Sequence, residues 1–425
     1  MMQRPLTNGQ KSAAIVGAGP IGLEATIFGL KLGYNVHVFE KGDTGHHIRQ
    51  WRHVQMFSSW KYNRSSLGME LLKEASKRVQ FPDDEYCPTG EEFLRDYLLP
   101  LSKLPVLKKK IHAGVRVLAI GKNNLGKQEL IASPSRADQP FRLLLCDGHG
   151  HESMRNFDVV IDCSGTYSQH NWMGNGGIPA IGEQELQQEI EYGLEDVLGD
   201  KRGKYAGKKT LLVGQGHSAA TTLLRFRELI QEDTRTSVVW VIRSERTAPY
   251  ELIENDALLL RWELARAANE IASKPPKNIT VVRRSNVEAV KKHGKQYTVT
   301  IDQAGTKRNI TVDRVIANVG YSPDNSIYRE LQVHECYASR APYKLAAALL
   351  GETSKDCLAQ SNHGADTLKN PEPNFFILGS KSYGKNSNFL LRVGIDQVKD
   401  AYSLITNDQP ATASRSRQQM ASAVK

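Results

Sequence analysis

Residues 13–22 read AAIVGAGPIG, and Gly17, Gly19, Pro20 and Gly22 stand where a compact apolar run gives way to a helical pattern that continues to Lys31. The run Ala13 to Gly17 has the composition of a buried strand. Glycines at the spacing Gly17-x-Gly19-x-x-Gly22 permit a tight turn, close approach of backbone to a pyrophosphate, and close helix–strand packing. The helix N-terminus that follows offers unpaired amides to an anion. A second apolar run, Asn35 to Glu40, closes the unit with an acid suited to accept hydrogen bonds from an adenosine ribose. The flanking strands and the distal acid, more than the glycines, make this a dinucleotide signature.

The same grammar recurs with a strand at Thr210 to Gly214, a helix from about His217 to Gln231 and a strand at Ser237 to Arg243. Its turn reads Gly214-Gln215-Gly216-His217-Ser218-Ala219, with alanine where a small residue still allows helix packing. The backbone amide of His217, rather than its imidazole, is expected to meet phosphate. Where the first unit has Glu40, the second has Arg243 and Arg246. Guanidinium pairs with phosphate through bidentate charge-assisted hydrogen bonds, so these arginines suit a ribose 2′-phosphate and favour NADPH over NADH. The alternative is that both point into water.

Between the units, Thr44 to Pro105 is rich in aromatic and polar residues, with helical stretches near Met69 to Val79 and Glu91 to Leu99. It reads as an insertion that covers a site. Asp158 to Gly165, Asp313 to Gly320 and Asn374 to Gly379 are further strand candidates that end in glycine. The expected fold is α/β, with two Rossmann-like dinucleotide-binding domains and a helical insertion. The division is 12–205 for the first part of the first dinucleotide-binding domain with its insertion at 44–105, 206–312 for a second, NADPH-binding domain, 313–407 for the second part of the first domain, and 408–425 for a disordered tail poor in apolar residues.

Composition narrows the function. The net charge is +10, but the basic residues are scattered and only Lys108 to Lys110 forms a dense run, so nucleic acid is not expected as a partner. No run approaches the length of a membrane span, and the N-terminus lacks a secretory pattern, so a cytoplasmic protein is expected with no membrane partner. A homodimer is compatible with the sequence. Cys87, Cys146, Cys163, Cys336 and Cys357 lie far apart, without the C-x-x-C spacing of a redox dithiol or zinc half-site. His46, His47 and His53 have no further ligands at a known metal spacing, so no metal site is expected.

Two dinucleotide units, the first with an acid and the second with arginines, resemble the two-dinucleotide-binding-domain flavoproteins. Trp51 to Asn63 (WRHVQMFSSWKYN), Pro88-Thr89-Gly90, Asp162 to Gly165, Gly174 to Glu183, Gly214 to Ala220, Gly379 to Tyr383 and Phe389-Leu390 narrow the likeness. It runs to the flavin-containing monooxygenase and N-hydroxylase branch, closest to bacterial flavoproteins found beside arsenic-resistance genes, over Ala13 to Ile405. The resemblance implies FAD on the first unit, with Trp51, Gly165 and Gly379 among its contacts, and NADPH on the second. Where the wider superfamily has Gly-Asp on its last strand, this chain has Gly379-Ser380-Lys381.

With no cysteine pair and no metal cluster in the sequence, the flavin itself is expected to carry the chemistry. The expected reaction is monooxygenation, in which dioxygen and NADPH serve a small nucleophilic (N, S or As) or carbonyl substrate through a flavin hydroperoxide. Asn63 is the preferred hydrogen-bond donor at the flavin, Trp60 stands beside it, and Lys381 could set a positive charge near reduced flavin. The alternatives are an aromatic cluster packing the insertion and a surface lysine. Two other functions fit the same motifs: an oxidase or dehydrogenase that does not oxygenate, and a non-catalytic NADPH or redox sensor.

Overall fold

The computed structural model describes residues 10–351 and 363–407. The chain opens with β1 (Ser12–Val16), α1 (Pro20–Lys31) and β2 (Asn35–Glu40). Every residue of β1 is buried, as befits a central parallel strand covered on both faces. The insertion follows as α2 (His46–Gln50), α3 (Trp60–Asn63), α4 (Ser66–Ala75), α5 (Gly90–Phe93), α6 (Leu99–Lys103) and α7 (Pro105–Lys108). The Ser65 hydroxyl caps α4, and Thr89 with Glu92 forms a capping box on α5. The helix expected near Glu91 to Leu99 runs from α5 through a π turn, Leu94–Leu98, into α6. Pro100 lacks an amide proton, and the Leu99 N–H reaches back to the Leu94 carbonyl. Trp60, Leu72, Phe93, Tyr97 and Leu101 pack with Leu23 and Ile27 of α1, so the insertion grows from the outer face of that helix.

Next come β3 (Ile111–Ala113), the antiparallel meander β4 (Arg116–Lys122), β5 (Phe141–Cys146) and β6 (Glu152–Phe157), and β7 (Val159–Asp162). After α8 (Arg202–Tyr205) the plan repeats. It runs β8 (Lys209–Val213), α9 (His217–Glu232), β9 (Ser237–Val241), α10 (Leu259–Ser273), β10 (Ile279–Val282), a meander of β11 (Ser285–His293), β12 (Gln296–Gln303) and β13 (Thr306–Val312), then β14 (Arg314–Ala317). α11 (Tyr343–Gly351), β15 (Phe375–Ile377) and α12 (Leu391–Asn407) complete the described chain. The first sheet has the order β15-β7-β1-β2-β3 and the second β10-β9-β8-β14. α12 returns onto α1, where the Tyr402 hydroxyl donates to the Ala25 carbonyl at 2.9 Å.

Two boundaries read from the sequence are corrected. The division at 312/313 assigned β14 to the first unit, but Arg314–Ala317 pairs with Thr210–Val213 as the last strand of the second sheet. The division at 205/206 falls late: Met173, Ala180 and Ile190, then Val197 and Tyr205, are already buried in the cores of the second unit. Strand grammar alone cannot tell which of two similar sheets a strand rejoins. The chain crosses between units as a short antiparallel ribbon, in which the Asn171 N–H donates to the Gly320 carbonyl and the Ser322 N–H to the Gln169 carbonyl, both at 2.9 Å. The tail assigned to 408–425 and Cys357 lie outside the described residues.

Candidate functional site

The first glycine turn is built so that only its middle position is open. Gly17 donates its N–H to the Phe39 carbonyl at 2.8 Å. It adopts φ +99°, and a Cβ there would lie 2.9 Å from the Cys163 carbonyl oxygen. A Cβ on Gly22 would meet the Gly17 carbonyl oxygen at 1.9 Å, whereas one on Gly19 meets nothing within 4 Å. Gly19 is also the N-cap of α1, with no side-chain cap and no acid in the first turn, and Pro20 follows. The amides of Ile21 and Gly22 therefore have no intrahelical acceptor. Glu40 is 7% exposed. Its Oε2 accepts from the Ala18 N–H at 2.8 Å and its Oε1 from the Gly42 N–H at 3.0 Å, so the acid shapes the turn.

The second turn repeats this geometry. Gly214 donates to the Val241 carbonyl at 3.2 Å, sits at φ +136°, and would place a Cβ 2.2 Å from the Asn318 carbonyl oxygen. A Cβ on Gly216 again meets nothing within 4 Å. Ala219 is buried beneath the turn. Gly216 caps α9 without a side-chain bond or a first-turn acid, which leaves the amides of His217 and Ser218 unpaired. Beyond β9, Arg243 and Arg246 are exposed. Arg283 joins them, its Nε donating to the Arg246 carbonyl at 3.3 Å. A narrow crevice beside this turn is lined by Tyr167, Tyr192, Ser218, Asn318 and Tyr321.

At the carboxyl ends of β7 and β15, Gly165 and Gly379 have φ of +72° and +73°. A Cβ on Gly165 would lie 3.5 Å from Ser380 Oγ, and one on Gly379 would lie 3.2 Å from Ile21 in the first turn of α1. These contacts set Gly379 against the first turn of α1, with Gly165 beside the neighbouring Ser380. Lys381 is 1% exposed, which corrects the reading of a surface lysine. Its Nζ donates to Asp162 Oδ2 at 2.6 Å and to Ser164 Oγ at 3.1 Å, and it lies 5.1 Å from the centre of the Tyr328 ring. Its charge is thereby offset by Asp162, a partner that the sequence reading missed.

Asn63 is buried; its Nδ2 donates to the Ser58 carbonyl and its Oδ1 accepts from the Ser58 hydroxyl, each at 2.8 Å. Its amide thus closes its own loop. Trp60 packs on Phe93 with ring centres 5.8 Å apart, and Arg64 lies over its ring at 5.4 Å. Trp51 lies against Gly90, where a Cβ would meet the indole at 2.9 Å. The indole N–H groups of Trp51 and Trp60 have no hydrogen-bond partner among the described residues. Burial, then the charge of Lys41, pushes His47 down to about 4. Among the described residues no group of three or more His, Cys, Asp or Glu could hold a metal ion, and no helix is long and apolar enough to cross a membrane.

A family model described as pyridine nucleotide-disulphide oxidoreductase matches residues 14–130. Solved structures match along nearly the whole chain. Bacillithiol disulfide reductase Bdr (YpdA) from Bacillus cereus is 19% identical with a TM-score of 0.67, covering 94% of this chain and 100% of its own. The fold is that of two-domain dinucleotide-binding flavoproteins. The FAD-bound cadaverine monooxygenase DfoA of Erwinia amylovora is 12% identical with a TM-score of 0.63, covering 95% of this chain and 98% of its own. An ornithine N-hydroxylase from Kutzneria sp. 744, with reduced FAD, NADP⁺ and L-ornithine, is 13% identical with a TM-score of 0.60, covering 94% and 100%. No curated protein matches the chain.

Proposed function

We propose that this flavoprotein fold is an FAD-dependent, NADPH-consuming oxidoreductase, and that its reaction is monooxygenation of a small nucleophilic or carbonyl substrate. The observation that carries the cofactor assignment is the repeated turn: an open middle glycine ahead of an uncapped helix, once beside Glu40 and once beside Arg243 and Arg246. Both cradles fit a dinucleotide pyrophosphate. FAD, when bound, supplies hydride acceptance and the reduction of dioxygen. The amides of Ile21 and Gly22 bind its phosphates, and Glu40 has lone pairs left to accept from ribose. Gly165 and Gly379, both at positive φ, let the ends of β7 and β15 pack closely beside the first turn of α1. His217, Ser218 and Ala219 hold the NADPH pyrophosphate through the backbone, and Arg243 with Arg246 takes the 2′-phosphate. Trp51, Trp60 and Asn63 keep the insertion packed beside α1 and exclude water, while Lys381 and Asp162 hold the ends of β7 and β15 together.

Monooxygenation is supported by the likeness to the Erwinia and Kutzneria enzymes and by cysteines too far apart in sequence to form a local dithiol. A second reading, reduction of a small substrate without oxygen, is favoured by the likeness to the bacillithiol disulfide reductase. The test follows NADPH oxidation under labelled dioxygen with candidate amines, thioethers, ketones and trivalent arsenicals. One labelled oxygen atom in product supports monooxygenation. Equal turnover of a disulfide without oxygen supports the second reading, and hydrogen peroxide in one-to-one yield against NADPH for every substrate overturns both in favour of an oxidase. Arg243→Ala should weaken NADPH, not NADH, by roughly one to two orders of magnitude, the loss of about 1.5–3 kcal/mol from a charged hydrogen bond.

A further inference from the structure

We propose that Phe57, in the insertion, is a positioning residue for the second glycine turn and couples nucleotide binding there to the insertion that flanks the first. The inference rests on the reading of Gly214 to Ala219 as a dinucleotide site.

The segment after α2 leaves the first unit and touches the second. Arg52 Nη2 pairs with Asp200 Oδ2 at 2.5 Å, and the Phe57 ring meets the His217 imidazole edge-on, with centres 5.7 Å apart and planes at 67°. His217 is the first residue of α9, and a second ring beside it is that of Tyr250, at 6.3 Å. Tyr250 in turn stacks on Trp240 at 6.3 Å and 16°. The four rings form a column from the insertion to the underside of the turn.

The column ends in two hydrogen bonds. The Tyr250 hydroxyl donates to the Gly216 carbonyl at 3.2 Å, and Trp240 Nε1 donates to the Gly214 carbonyl at 2.9 Å. In a planar trans peptide the carbonyl and the following N–H point in opposite directions. Drawing the Gly214 carbonyl toward the rings therefore turns the Gln215 N–H to the other side, as a donor to a pyrophosphate. The Tyr250 bond joins the Ala220 N–H, at 3.1 Å, in holding the Gly216 carbonyl so that the His217 N–H points the same way. The far end of the column is anchored in the first unit. Phe57 packs in a cluster with Leu258 of the second unit and Tyr383, Leu390 and Val393 of the first, and its carbonyl accepts from the Cys87 thiol at 3.6 Å.

Coupling of this kind is reciprocal. A nucleotide that fixes the turn holds His217 and Phe57, and with them residues 51–63; an ordered Phe57 presets the turn for the nucleotide. The sequence signal was Phe57 within WRHVQMFSSWKYN, with nothing to indicate that its partner lay in α9.

Amide hydrogen exchange on the FAD-loaded full chain, with and without NADP⁺, tests this. In the unmodified protein NADP⁺ should slow exchange at 214–220 and also at 51–63, the latter by about threefold or more as local opening is suppressed. Phe57→Ala should keep the slowing at 214–220 and lose it at 51–63, and Phe57→Tyr should restore it. Slowing at 214–220 with none at 51–63 in the unmodified protein overturns the coupling and leaves the nucleotide site standing, even if Phe57→Ala fails to fold. The same slowing at 51–63 in Phe57→Ala overturns the role of Phe57. No slowing at 214–220 in the unmodified protein overturns the nucleotide site and the coupling with it.

Discussion

Gly19 and Gly22 lie in one turn and should respond to substitution in opposite ways. Gly19 has φ −81° and ψ −173°, backbone that any residue adopts, and open space where a side chain would go. Gly19→Val should therefore fold and melt normally yet carry little flavin, because its side chain fills the approach to the pyrophosphate. Gly22→Ala places a Cβ 1.9 Å from the Gly17 carbonyl oxygen, so the turn must open, at a cost of about 1–3 kcal/mol or more. Flavin absorbance per protein and the thermal midpoint separate the two; full flavin in folded Gly19→Val would sink the assignment. These glycines were legible in the sequence because strand, turn and helix are contiguous there. Lys381 was not, since its partner Asp162 lies 219 residues away. Nor was the role of Arg136, which is fully buried on Glu372 across 236 residues.

Edge strand β3 joins β2 through a histidine pair. The rings of His37 and His112 stack with centres 5.3 Å apart, and Nδ1 of the first lies 3.0 Å from Nε2 of the second. Burial, then the neighbouring His112 and the charges of Arg155 and Lys110, pushes His37 down to about 4. In an unfolded chain the group titrates near 6.5. The folded state thus favours neutral His37, and its contribution to stability is complete above about pH 6.5 and is lost as pH falls toward 4. His37→Phe keeps a ring to stack on His112 and removes the titration. The thermal midpoint should fall between about pH 7 and about pH 5 in the unmodified protein and fall less in the variant; an equal fall would remove His37 from the effect. The pairing of β3 with β2 was hidden in the sequence, because Ile111–Ala113 is too short a run to carry a period of its own.

The first sheet holds together across the whole chain, and the Lys381–Asp162 pair joins its late strand β15 to β7. Both side chains are fully buried. Lys381→Met would leave a buried carboxylate without its cation and should cost about 3–5 kcal/mol in urea unfolding, whereas Asp162→Asn added to Lys381→Met should recover most of that loss. A single variant as stable as the unmodified protein would show that the pair contributes nothing to the fold.

The antiparallel ribbon at His170 and Tyr321 makes the second unit a guest inside the first, entering and leaving at adjacent points. Nesting imposes an order of assembly. The four described strands of the second sheet all lie within Lys209 to Ala317, so they are synthesised before Phe375–Ile377 and α12. Domains fold largely as units during synthesis. The unit begun first is therefore finished last, and the guest serves as a folded platform on which its host closes.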